Sequence, residues 1–315
     1  MTRNDLVEAS RLAIKRGSKS FSAASRLFDR TTRERVWMLY AWCRRCDDLA
    51  DAQDMGGALG DQSQIAQKVE KLRDLTARAL KGEPTGDPAF DAFGQVASEC
   101  GLTMEDADAV IAGFELDAED WRPRSEADLM RYCWHVAGAV GVMMALVMGV
   151  KREDADTLDR ACDLGLAFQL ANIARDVVED DAADRCYLPV EWLVEEDIEP
   201  GQHTKPHHRR ELADMAARLV RRMEVHAASS RVGAARLPFR CRWAILSAAR
   251  IYTAIGREVL AKGPAAWDHR VYTSKAQKIG HAAMAFVEAL VNRPPVLSDE
   301  PRWRRSDLAE NAANA

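Results

Sequence analysis

Helical period governs almost every patterned stretch of this chain. Apolar residues recur three and four apart, while runs of alternating β-branched residues are missing, so strands have little to form from. Start signals support the same reading. Thr31-x-x-Glu34 reads as a capping box opening a long helix to about Gln53, and Thr103 and Ser125 are placed to cap two more. Turn-rich punctuation falls at MGGALGD, KGEPTGDP, DWRPRS, the stretch after Asp181 and IEPGQHTKPHH. From about Arg209 three further helices run to about Val291, interrupted near Pro238 and at KGPAAWDHR. An all-α fold follows.

No linker is long or biased enough to divide the helices, so residues 1–292 are read as a single domain. Over residues 293–315 the periodicity is lost, and a disordered or loosely docked tail is expected. With 315 residues, 47% hydrophobic and 30% charged, the chain has ordinary globular composition. A net charge of −5 offers no basic field for nucleic acid. The seven cysteines are scattered, and Cys43 with Cys46 has no second pair at zinc-ribbon spacing. Reduced thiols in the cytoplasm fit best. The N-terminal MTRNDLVEASRLAIKRG reads as an amphipathic helix without a signal-peptide core. The most apolar run, VAGAVGVMMALVMGV at 136–150, is shorter than the roughly 20 residues of a bilayer span. It is read as a buried core helix.

Two segments combine acids with otherwise apolar helix faces. At about 100° per residue with Gln169 as zero, Asn172, Asp176 and Asp180 fall at roughly −60°, −20° and +20°. They form a polar stripe about 16 Å long. Gly165 lies on the same line and leaves room beside it. Leu166, Leu170, Ile173, Ala174, Val177 and Val178 cover the other faces, and a helix apolar nearly all round is a buried one. In YAWCRRCDDLAD, with Asp47 as zero, Tyr40, Arg44 and Asp51 fall at roughly +20°, +60° and +40°, whereas Asp48 sits about 100° away and is the weaker candidate. Either stripe alone could be a solvated face. Two of them turned inward would cost several kcal/mol per unpartnered carboxylate. Divalent cations supply partners, and oxygen donors suit Mg²⁺ or Mn²⁺ holding a diphosphate leaving group.

These residues resemble a known family, the head-to-head prenyl synthases, which comprise squalene, dehydrosqualene and phytoene synthases. YCWHVAGAVGVMMALV at 132–147 and LGLAFQLANIARDVVEDDAADRCYLP at 164–189 are similar to its two signatures. YAWCRRCDDLAD is similar to its first aspartate-rich motif, and GSKSFSAASRLF at 17–28 to its N-terminal phosphate-contact stretch. The resemblance implies an all-α isoprenoid-synthase fold around a central cavity. It also implies condensation of two allylic diphosphates through a cyclopropylcarbinyl diphosphate.

On that basis Asp47, Asp51, Asp176 and Asp180 would hold Mg²⁺, with Asn172 and Gln169 assisting metal or diphosphate. Lys19, Ser20, Arg44, Arg175, Arg185, Arg270 and Lys275 would contact diphosphate, for which the planar fork of arginine is suited. Tyr40, Tyr132, Tyr187 and Tyr252 would surround the reacting carbons, where ring faces stabilise a carbocation, and Phe21 would wall the prenyl chain. A lone Tyr in an apolar helix is more often core than catalytic, so Tyr40 and Tyr252 rest mainly on the resemblance, and Arg270 and Lys275 are also compatible with surface charge. Gly138 and Gly141 either permit close helix packing or accompany a bend. His203, His207 and His208, around Pro206 in a polar loop, are read as loop residues and not as a metal site.

The wording of GSKSFS and NIARDVVEDDAADRCYLPVEWL looks most like bacterial phytoene synthases, implying two geranylgeranyl diphosphates as substrate and no NADPH. Farnesyl diphosphate, giving squalene or dehydrosqualene, is the alternative. A non-catalytic assembly relative would lose the aspartates, and a terpene cyclase would pair one aspartate-rich motif with an Asn/Ser/Glu type. An insoluble forty-carbon product implies a cytoplasmic protein that touches the inner membrane transiently, in reach of upstream or downstream carotenoid enzymes.

Overall fold

The computed structural model describes residues 1–50, 65–118, 121–297 and 299–313, with only the backbone of Lys19, Ser20, Ile65, Ala118, Glu310, Asn311, Ala312 and Ala313. Local chemistry sets the helix boundaries. α1 (Arg3–Gly17) opens on a reciprocal Thr2–Asp5 capping box, and Ser18 caps the short α2 (Lys19–Ala24). α3 (Arg30–Ala50) is capped by Asp29, whose carboxylate accepts from the Thr32 backbone N–H at 3.0 Å. This replaces the Thr31–Glu34 box expected from the sequence, because Glu34 is engaged by Arg3 and Arg30. α4 (Ile65–Leu80) precedes α5 (Pro88–Cys100), which has Asp87 as cap, Pro88 in its first turn and a left-handed Gly101 at its end. α6 (Met104–Ala118) and α7 (Glu126–Cys133) start at Thr103 and Ser125 as expected.

A π-helical turn, Trp134–Gly138, links α7 to α8 (Ala139–Val147). The run Glu126–Val147 has the length and apolar composition to cross a membrane, yet 67% of its apolar window is buried, as in a core helix. α9 (Ala155–Ala182) and the short α10 (Val190–Glu195) follow. α11 (Arg209–Ala234), α12 (Phe239–Lys262) and α13 (Lys275–Val291) reproduce the three expected helices, and α14 (Arg305–Ala313) lies in the tail. No strand occurs among the described residues, and all seven cysteines are free.

Contacts group the chain into two compact units, Met1–Glu119 with Val142–Ala155, and Asp120–Gly141 with Asp156–Ala315. Residues 1–292, read as one domain, are distributed over both. In the first unit α3 packs on α1, α4 and α5. Its anchor is the fully buried Trp42, stacked 4.2 Å from Phe93 with its indole N–H donating to Thr76. Truncating such a residue to alanine costs roughly 3–5 kcal/mol.

In the second unit α9 meets the π-turn backbone to backbone. A Cβ on Gly165 would strike the carbonyl of Ala137, and one on Gly141 would strike that of Ala161. The room that the sequence leaves beside Gly165 is therefore filled by protein. The tail, expected to be disordered or loosely docked, meets this unit at three residues. Arg302 reaches the buried Asp163 at 3.3 Å, Arg305 pairs with Asp159 at 2.7 Å, and Leu308 is buried. Two of these three anchors are arginines, so no apolar period announces them.

Candidate active site

Asn172, Asp176 and Asp180 occupy successive turns of α9 and are all half-buried, while Ile173, Ala174 and Val177 between them are buried. The stripe thus runs along an otherwise covered helix. Asp176 is gripped from two sides. The adjacent Arg175 forks onto both of its oxygens, one contact at 2.7 Å, and Arg270 reaches Oδ1 at 2.8 Å. Arg270 comes from the loop between α12 and α13. That loop is pinned by Trp267, whose buried indole donates to the Ala174 carbonyl at 3.1 Å. Glu179 is exposed and lies 3.9 Å from Arg270, off the stripe as its register requires.

One turn further, Asp180, Arg185, Tyr187 and His203 line a crevice with Ile173, Val177, Cys186 and Leu188. Asp181 faces away from the stripe, accepting a hydrogen bond from Thr204 at 2.5 Å. His203, read from the sequence as a loop residue, is 1% exposed and sits 3.7 Å from Asp181. Burial pushes its imidazole below the ordinary value, and neither ring nitrogen has a hydrogen-bond partner. No group of three metal-ligating side chains is preassembled among the described residues.

Aromatic faces lie nearby in the same unit. Trp121, Tyr132 and Tyr187 form a column with centroid separations of 5.6 and 4.7 Å and nearly parallel planes. Tyr252 of α12 stacks on Phe168 of α9 at 4.0 Å. Gln169 is half-buried one turn before Asn172. Lys275 is exposed at the start of α13, and no ion pair among the described residues joins it to this cluster.

The α3 stripe belongs to the other unit. Arg44 pairs with Asp47, three residues on, whose side chain is 37% exposed. Asp48 is buried at 3%. Tyr40 lies against Phe21 at 5.5 Å, and its hydroxyl abuts Gly17. Both that hydroxyl and Arg44 Nε are buried without hydrogen-bond partners. Asp51 and the side chains of Lys19 and Ser20 lie outside the described residues.

Sequence reasoning missed Trp121, Phe168, Trp267 and the burial of His203. Trp267 alone had a signal, as a large aromatic in the polar, turn-forming KGPAAWDHR.

Comparison with known proteins agrees with this architecture. The sequence profile of the squalene/phytoene synthase family matches residues 14–277. A phytoene synthase of Pseudescherichia vulneris is 46% identical over 281 residues, covering 89% of this chain and 90% of that protein. A 15-cis-phytoene synthase of Enterobacter agglomerans is 43% identical over 295 residues, covering 92% and 98%. Among solved structures, a dehydrosqualene synthase in complex with ligand matches with a TM-score of 0.81 at 26% identity, over 92% of this chain and 98% of that one. The chain belongs to the squalene/phytoene synthase family. It is an all-α enzyme of prenyl transfer, as the sequence implied.

Proposed function

We propose that the chain joins two geranylgeranyl diphosphates head to head, giving phytoene and two diphosphates. The carrying observation is that relatives 43–46% identical over almost their whole length bear the phytoene synthase name. In the first half-reaction one C–O bond breaks, the allylic cation is captured by the second molecule's double bond, and proton loss closes a cyclopropane. In the second, the remaining diphosphate leaves, the cation rearranges, and a further proton is lost. No reductant is consumed, so NADPH has no role.

The residues fit a divalent cation. Asn172, Asp176 and Asp180 offer hard oxygen donors at successive turns of a covered helix, and Asp47 offers another on α3. Asp51 would complete the set. Bound by them, Mg²⁺ or Mn²⁺ would neutralise charge on the leaving diphosphate. Arg175 and Arg270, already converging on Asp176, are placed to share diphosphate oxygens, with Arg185 beside Asp180. Arg44 Nε and the Tyr40 hydroxyl are polar atoms that a diphosphate oxygen would satisfy. The Tyr132–Tyr187 column presents π faces that stabilise positive charge without trapping it. Tyr252 is held by Phe168 for the same task.

The product dissolves in lipid and not in water, so the reading includes a cytoplasmic protein peripheral to the inner membrane, passing hydrocarbon toward later carotenoid enzymes. Incubation with Mg²⁺ and farnesyl or geranylgeranyl diphosphate, with and without NADPH, tests it by product mass and absorbance. Phytoene without NADPH is expected. A thirty-carbon product alone would move the substrate to farnesyl diphosphate, and no hydrocarbon under any condition would overturn the proposal.

A further inference from the structure

α13 is amphipathic the wrong way round for a helix that meets water. Taking Ile279 as zero at about 100° per residue, Ala283, Phe286, Val287, Leu290, Val291 and Met284 fall between roughly −20° and 140°. All of them are exposed, Ile279 at 71%, Leu290 at 60% and Val287 at 57%. The opposite face, with the buried Ala285 and Ala289, packs on α12. The helix's one acid, Glu288, lies on that inner side, where Arg231 and Arg250 hold it at 3.1 and 2.7 Å. A surface helix ordinarily turns its charges outward, and a contiguous exposed apolar face marks an interaction site.

Apolar exposure continues beyond both ends. Tyr272, just before the cap Ser274, is 79% exposed, and Val296, after Pro294 and Pro295, is 98% exposed. Exposed cations bracket the face, Lys275 at its start and Arg293 just past its end. Among the described residues of the tail, α14 packs on α7 and the π-turn and not on this face.

We propose that α13 is a bilayer-docking element, lying in the plane of a membrane rich in anionic lipid with Ile279, Val287 and Leu290 in the acyl boundary. Such a helix combines an apolar face with flanking cations and no outward acid, and a tyrosine at its edge suits the headgroup level. A second copy of the chain is a poorer occupant. A two-fold contact along this face would set Lys275 and Arg293 against cations of the same kind, with no outward acid on α13 to answer them. The choice of lipid rests partly on the proposed hydrocarbon product, which must leave into an apolar phase.

Flotation of the full-length protein with vesicles tests the proposal, using phosphatidylcholine alone and phosphatidylcholine mixed with phosphatidylglycerol. Wild type is expected to float with the anionic vesicles. The triple variant Ile279→Glu, Val287→Glu, Leu290→Glu is expected to lose about tenfold or more in partitioning, with helical circular dichroism and turnover in detergent micelles retained. Should the triple variant precipitate, Val287→Glu alone is read in the same assay. A variant that floats as well as wild type, or a wild type that floats with neither vesicle, would overturn the docking role. So would light scattering that shows a wild-type dimer split by the variant, because the face would then belong to a second copy. A wild type that floats but makes no hydrocarbon would sink the proposed reaction while supporting this surface.

Discussion

α3 presents Asp47 and α9 presents Asn172, Asp176 and Asp180, yet the two helices are held by different physics. α3 is fixed through side chains. Trp42 stacks on Phe93, and Glu99 of α5 gathers Arg3 and Arg35 at 2.6 and 2.9 Å in a partly exposed cluster. α9 is fixed through backbone contact together with one buried carboxylate. Glycines let it touch the π-turn, and the buried Asp163 joins it to His226 at 2.7 Å, to Ser229 and to the tail's Arg302. Side-chain contacts can re-rotate, whereas backbone contacts cannot. Asp176, between two guanidiniums, is the more constrained carboxylate, and the half-exposed Asp47, with one, is the more adjustable.

The largest effect should come from the acids themselves. Asp176→Ala is expected to cut turnover on the order of a thousandfold or more, with the fold intact by circular dichroism. Asp47→Ala should also disable the enzyme but respond more to raised Mg²⁺, because it releases one arginine and not two. Near-normal turnover in either variant would remove that residue from the site. Identical Mg²⁺ responses would break the distinction between constrained and adjustable.

Gly165→Ala tests the backbone contact. A Cβ there meets the Ala137 carbonyl, which cannot rotate away, so a loss of about 3 kcal/mol is expected by urea unfolding. An unchanged unfolding midpoint would mean that α9 has slack after all. Arg302→Ala should cost about 2 kcal/mol, since Asp163 keeps His226 and Ser229 but loses its cation. It should also expose the tail to limited proteolysis.

The helices and the register of the α9 stripe were legible because period and register are local properties of the chain. Asn172, Asp176 and Asp180 could be placed on one line by arithmetic alone, and the structure keeps them half-buried on a covered helix. What faces that line was not legible. Gly165 looked like room for a ligand and proved to be room for the Ala137 carbonyl, a contact made across a helix pair. Arg270 reaches Asp176 only because Trp267 pins an irregular loop, and His203 is buried by a fold that its polar neighbours do not announce. The outward apolar face of α13 escaped for the opposite reason. Periodicity shows that a helix has two faces and not which of them the protein covers.

The smallest expected effect probes how α3 is held. Burial alone would raise the Glu99 carboxyl, but hydrogen bonds from Arg3, Arg35 and Gln95 outweigh it and pull it from 4.5 down to about 2. A carboxyl depressed by folding contributes stability above its unfolded value and loses it as pH falls toward the folded one. Glu99 should therefore stabilise fully at neutral pH and fade between 4.5 and about 2. Glu99→Gln is expected to cost about 1 kcal/mol at pH 7, a figure reduced for the solvent that reaches Arg3. Urea unfolding of both forms should show the gap narrowing below pH 4.5. A gap that stays constant down to pH 3 would mean that the cluster acts by packing and not by charge, and α3 would then be held more as α9 is.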